Sequence, residues 1–176
     1  MTKKIITFCL ILFTFIGCKK ADELTQFNIE FNETAVIPSS TGINLPFNIF
    51  TPDVETNSTS TFEVNDTRKD LIEEITLTSL GLKITTPNNA DFSFLKSISI
   101  YISADGLSES KIAWRNNVPS DAKELKLDLT GIDLKEYIKK DSYSLRLNTV
   151  TDEAMSQDHE IDVKSTFFVD AKILGL

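Results

Sequence analysis

From Phe27 onward, the apolar residues of this chain recur at alternate positions, and that period restricts it to a fold built from strands. Phe27, Ile29 and Phe31 alternate with Asn28, Glu30 and Asn32. Successive side chains of an extended chain point to opposite faces, so such a segment buries one face and wets the other. Ile43, Leu45, Phe47 and Ile49 repeat the pattern, with Pro46 on the opposite phase, as suits an edge strand or a bulge. The alternation returns at Phe62 and Val64, Ile75 and Leu77, Leu80 to Ile84, Ile98 to Ile102, Ile112 and Trp114, Leu125 to Leu129, Tyr143 to Leu147, and Ile161 to Ile173. The change of phase around Ser79 predicts a β-bulge. Turn signals separate these runs: the Thr/Ser-rich stretch Thr51 to Ser60, Pro87-Asn88-Asn89, Asp105-Gly106, and Asn116-Asn117 before Pro119. About nine short strands of this kind predict an all-β, antiparallel β-sandwich, jelly-roll or immunoglobulin-like.

Two short helices are expected to interrupt the strands. Thr67-Arg68-Lys69-Asp70 has the form of a capping box ahead of Leu71-Ile72-Glu73-Glu74. Asp133 precedes Leu134, Tyr137 and Ile138, which share one helical face, and Lys139 and Lys140 suit the negative end of the helix dipole.

The N-terminus reads differently. Lys3 and Lys4 precede a run of 12 residues, Ile5 to Ile16, that is apolar apart from Thr7 and Thr14. A bilayer core needs about 20 helical residues to cross, so this run is too short to span and has the form of a secretory signal peptide. Phe15-Ile16-Gly17-Cys18 follows. The segment resembles the lipobox of bacterial lipoproteins, with Phe15 where leucine is usual. The resemblance implies cleavage after Gly17, a diacylglyceryl thioether on Cys18, and an acyl chain such as palmitate on its amine. One acyl chain holds a protein to a membrane only marginally, whereas two or more anchor it stably. Lys19 occupies the position where many such proteins carry an inner-membrane retention aspartate, so the expected address is the outer membrane. The expected organisation is a signal peptide at 1–17, a short lipidated tether at 18–24 and one sandwich domain at 25–176. An extended tether of that length holds the domain within about 20 Å of the lipid.

Charge and cysteine content narrow the function. Removing Lys3 and Lys4 leaves 16 basic residues against 26 acidic ones, a formal charge of −10 for the mature chain. Such a surface repels phosphate backbones, and nucleic acid is not an expected partner. The two cysteines are Cys9, inside the signal segment, and Cys18. The domain therefore lacks a thiol nucleophile, a disulfide and a thiolate metal site.

Few residues suggest chemistry. His159 is the only histidine, and it lies in Gln157-Asp158-His159-Glu160, a polar turn running into a strand. It reads as a solvated surface residue. Gly106-Leu107-Ser108-Glu109-Ser110 lacks the second glycine of a nucleophile elbow. Glu73-Glu74 on a short helix reads as solvated, with no partner for glycoside hydrolysis. Asp158, Glu160 and Asp162 are spaced by two and share one face of a strand. That strip reads as outward and acidic, with a hard cation such as Ca²⁺ as the alternative. Trp114, the only tryptophan, is in phase with Ile112 and so reads as core. The alternative is an exposed platform beside Arg115, with Tyr101 or Tyr143 nearby, for stacking on a sugar or a protein partner. No catalytic residue, metal or cofactor is assigned beyond the covalent lipid.

The reading reached from the sequence is a membrane-anchored, non-catalytic binding or structural module of the cell envelope, with an envelope protein, glycan or lipid as partner. A carrier of lipid or another hydrophobic ligand is the second reading, because phenylalanine-rich strands can line a cavity. A hydrolase of envelope polymers is the third.

Overall fold

The computed structural model describes residues 25–172, so Cys18 and the rest of the N-terminal segment lie outside the described residues. Ten strands run in chain order: β1 (Gln26–Ile37), β2 (Pro46–Phe50), β3 (Val54–Glu55), β4 (Ile72–Thr86), β5 (Leu95–Ser103), β6 (Ser110–Asn116), β7 (Glu124–Lys126), β8 (Asp128–Leu129), β9 (Ser142–Thr151) and β10 (His159–Ala171). Two short helices join them, α1 (Ser58–Glu63) and α2 (Lys135–Ile138).

The strands form two antiparallel sheets. One has the order β1-β10-β4-β7 and the other β2-β9-β5-β6-β8, with β3 also paired to β9. Leaving aside the two-residue strands β3 and β8, the chain changes sheet at every connection except the β5–β6 hairpin. This is the jelly-roll winding, two Greek keys laid face to face, and it decides between the two sandwich types expected from sequence. Pro46 opens β2 at the edge of its sheet, where a missing N–H breaks no ladder.

The alternating residues meet between the sheets in one apolar cluster. Ile75, Leu80, Ile100, Ile102, Leu147 and Phe167 are among its residues without measurable exposure. Phe31, Tyr143 and Phe167 pack edge to face, with ring centroids 5.5 Å (Phe31–Tyr143), 5.8 Å (Phe31–Phe167) and 6.3 Å (Tyr143–Phe167) apart. Phe31 and Phe167, two of the phenylalanines considered as a cavity lining, thus make core contacts.

Four local expectations are corrected. The capping-box segment does not start a helix: β4 begins at Ile72, where Ile72 pairs with Ala171 and Ile75 with Val169. Burying Ile72, Ile75 and Leu77 against β10 outweighs a local cap. The first helix is instead α1, inside the segment expected to be loop and strand, and it carries Phe62 into the core. Its Ser and Thr residues are weak helix formers, so tertiary burial of Phe62 holds it. The run Leu125 to Leu129 is not one strand: β7 pairs with β4 and β8 with β6, so the chain changes sheet at Leu127. His159 is buried rather than solvated (8% exposed), with its ring 4.6 Å from that of Phe94.

The expected bulge is present. Thr166 faces Ser79 and Phe167 faces Leu77, which leaves Thr78 as the extra residue.

Candidate binding face

A second bulge, which the alternation does not signal, shapes the most distinctive surface. Ile100 pairs with Ala113, but Tyr101 pairs with Lys111, so Ile112 has no partner on β5. Ile112 and Ala113 are both buried. An extra residue reverses the phase of everything beyond it. Trp114, expected in the core with Ile112, therefore turns outward and is half-buried. Only the ladder register shows this.

Outward residues then align in rows across the sheet. One row runs Asn48, Asn148, Ser99, Trp114 and Asp128, on β2, β9, β5, β6 and β8. The next runs Phe50, Arg146, Tyr101 and Lys111. Phe50 is 65% exposed. Tyr101 and Trp114 thus share a face on adjacent strands, as diagonal neighbours about 7–8 Å apart at the backbone.

A polar network fixes the middle of this face. Arg146 donates to Glu109 from Nε at 2.7 Å and from Nη2 at 2.6 Å. Its Nη1 donates to Asn48 Oδ1 at 2.7 Å, and Asn148 Nδ2 donates to the same oxygen at 2.8 Å. The guanidinium lies 4.1 Å from the centre of the Tyr101 ring, and Lys111 Nζ lies 5.5 Å from that of Trp114. Exposed cation–π contacts of this kind contribute about 0.5–1 kcal/mol each. The hydrogen bond from Arg146 holds the Glu109 carboxyl below the usual glutamate range, and Glu109 in turn raises the guanidinium, so the pair stays ionised. A bidentate pair tied to an amide and stacked on a ring keeps few rotamers, and groups so fixed meet a ligand with little further ordering.

Arg115, grouped with Tyr101 and Trp114 in the sequence, does not join them. It pairs with the buried Ile98, on the other phase of β6, and lies 3.8 Å from Asp128. Arg146 on β9 takes the place imagined for it. The sequence signal for Arg146 was its position between Leu145 and Leu147, which marks an outward residue but names no neighbour.

The other singled-out residues are scattered. Asp158 accepts from the amide and hydroxyl of Ser39 at 2.8 and 2.9 Å, and the backbone bond first, then the hydroxyl, lowers its pKa. Glu160 accepts from Thr86 at 2.9 Å and Asp162 from Thr34 at 3.3 Å. Each carboxylate of the strip thus has its own hydroxyl partner, and among the described residues no three carboxylate or histidine side chains converge as a metal site. His159 Nδ1 lies 3.1 Å from the Gln157 carbonyl oxygen. Ser108 lies beyond the far end of β5 from Phe94 and His159, and at ~3.3 Å per residue the strand spans roughly 30 Å. Serine and histidine cannot act together across that distance. Glu73 and Glu74 lie on β4, with Glu73 3.7 Å from Lys172. A concavity of about 510 Å³ on the outer face of the first sheet is bordered by Asn32, Gly81, Lys126 and the ion pair Lys83–Glu124.

No protein-family profile and no curated protein matches this chain. Solved structures do show similarity. A chain of the cyanophage Pam1 capsid asymmetric unit is 8% identical, with 80% of this chain and 85% of that one covered, at a TM-score of 0.39. N-glycanase F is 14% identical, with 84% of this chain and 42% of its own covered, at 0.39. Chitosan-binding module 1 of a chitosanase/glucanase from Paenibacillus sp. IK-5 is 10% identical, with 79% and 94% covered, at 0.36. Likeness at this level carries no residue role or ligand across to this chain.

Proposed function

We propose that this chain is a lipid-anchored protein of the cell envelope, held at the outer membrane through Cys18, whose domain binds its partner without catalysis through the outer face of β2-β9-β5-β6-β8. The observation that carries the reading is the outward turn of Trp114 beside Tyr101, over the fixed network of Arg146, Glu109, Asn48 and Asn148. Rings left half-exposed on a sheet face forgo part of the burial that a core position gives, and what they offer instead is contact area. Rings that are amphipathic and rigid, flanked by oriented polar groups, are the usual make-up of a recognition surface. The anchor rests on Phe15-Ile16-Gly17-Cys18 behind the apolar run.

Two measurements in cells test this. Labelled palmitate should enter the chain and be lost in Cys18→Ser. A photoreactive residue at position 101 should form a recurrent adduct that is absent when the same residue stands at Thr166, on the outer face of the other sheet. Adducts at neither position, or at both equally, would remove the face from consideration.

A further inference from the structure

We infer that the ligand of this face is a neutral polysaccharide lying across the strands. The inference rests on the binding-face reading above and adds the chemical class of the ligand.

The make-up of the face carries the argument. The outer face of β1-β10-β4-β7 mixes charged residues such as Glu30, Glu74, Asp162, Lys164 and Asp170 with uncharged ones such as Asn28, Asn32, Thr166 and Phe168. The face of β2-β9-β5-β6-β8 adds two aromatic rings and a fixed amide network. Its acids are matched, Glu109 by Arg146 and Asp128 by Arg115, and Lys111 rests beside the Trp114 ring. Between them the surface is hydroxyl and amide: Asn48, Asn148 and Ser99. Along these rows, charge is therefore nearly balanced. Among the described residues of these two rows, an anionic polymer would find Lys111 to pair with, and a cationic one no carboxylate without an arginine beside it.

The remaining chemistry fits a sugar ring on both of its sides. A pyranose offers a flat C–H face and an equatorial rim of hydroxyls, each both donor and acceptor. Trp114 and Tyr101 supply apolar faces for the first. Asn148 and Ser99, which keep hydrogen-bonding atoms without a partner among the described residues, and the remaining Arg146 N–H groups supply the second. The row from Asn48 to Trp114 crosses three strand intervals, about 14–15 Å. Phe50, exposed at the edge strand beside it, adds a further apolar contact at the end opposite Trp114. A polymer lying along the rows meets an aromatic side chain at each end and oriented polar groups between them.

Trp114 is the only tryptophan of the chain, so its emission reports this face alone. The full chain, solubilised from membranes in mild detergent, should be titrated with oligosaccharides from cellulose, xylan, mannan, chitin and β-1,3-glucan, and with alginate and polygalacturonate as anionic polymers. The expected result is a saturable change in emission with at least one neutral series, weakened tenfold or more by Tyr101→Ala and by Asn48→Ala, and unaltered by Lys126→Ala on the other sheet. A response to the anionic polymers alone, or to none of the seven, would overturn the inference. Adducts at position 101 without a neutral-glycan response would show a binding face with a different ligand. Loss of both would remove the face as well.

Discussion

Ser99 of β5 stands directly opposite Trp114 of β6, and this pairing exists because Ile112 has no partner across the ladder. The tryptophan is accordingly half-buried on the outside of the sheet. Acrylamide should quench the native fluorescence of Trp114 readily, with only a modest further increase on unfolding in denaturant. A native indole protected from the quencher would place Trp114 in the core and withdraw the face described above.

Asp133 ties α2 to β4. Its Oδ1 accepts from the amide of Ile75 at 3.1 Å and from that of Lys135 at 3.0 Å. Burial works to raise its pKa, but the two amides and the Lys135 ammonium outweigh it and the net shift is downward. Asp133→Ala should lower the unfolding free energy by about 1–2 kcal/mol, since the amide of the buried Ile75 loses its partner. Asp133→Asn keeps the acceptor and loses the charge. A folded pKa below the unfolded one stabilises above the ordinary aspartate range and loses that effect as pH falls through the lowered value. The gap in urea midpoint between wild type and Asp133→Asn should therefore close as pH drops below about 4. A gap that persists in acid would show that the charge is not the cause.

Glu33 lies on the inward phase of β1, between Phe31 and Ala35, and burial raises its pKa. The sign is opposite to that of Asp133. A carboxyl with a raised folded pKa favours the fold while protonated and opposes it as pH rises through that value. Glu33→Gln should raise the thermal midpoint at pH 7 and leave it nearly unchanged near pH 4. β1 is also a 12-residue strand at the edge of its sheet, and inward charge is one way to discourage edge-to-edge pairing. Glu33→Val should increase concentration-dependent association in light scattering. If it stays monomeric, the charge has no such protective role.

Phe167, fully buried on β10 between β1 and β4, contacts the rings of Phe31 and Tyr143. Phe167→Ala should cost about 3–5 kcal/mol in denaturant titration, a large part of the ~5–15 kcal/mol that holds a typical domain. Phe167→Leu should recover much of it. A loss below about 1 kcal/mol would mean that the core around Phe167 is loosely packed or already holds space.

The strands were legible wherever period two ran undisturbed, as in Phe27–Phe31, Ile98–Ile102 and Leu145–Leu147, because burial of one sheet face imposes that period directly. The bulge near Ser79 was legible too, since apolar residues stand on both sides of the phase change. The bulge at Ile112 left no such mark: Ile112 and Trp114 keep the alternation while the backbone breaks it. The local signals at Thr67–Asp70 pointed to a helix that pairing of Ile72 and Ile75 with β10 overrides. Of the candidate site, Tyr101 and Trp114 were legible as residues, whereas Arg146, Asn48 and Glu109 were not, because they come from three separate parts of the chain and meet only across the sheet.

Taken alone, the sequence determined that the domain is an antiparallel sandwich, that its core is aliphatic and phenylalanine-rich, and that it contains no cysteine past Cys18. These are properties of composition and local period. Tertiary structure decided the jelly-roll order of the strands, the outward turn of Trp114, the burial of His159 against Phe94 and the assembly of one nearly charge-matched face. Each of these depends on which strand lies beside which and in what register. Alternation fixes a side chain's phase along its own strand but not the neighbour it meets across the ladder.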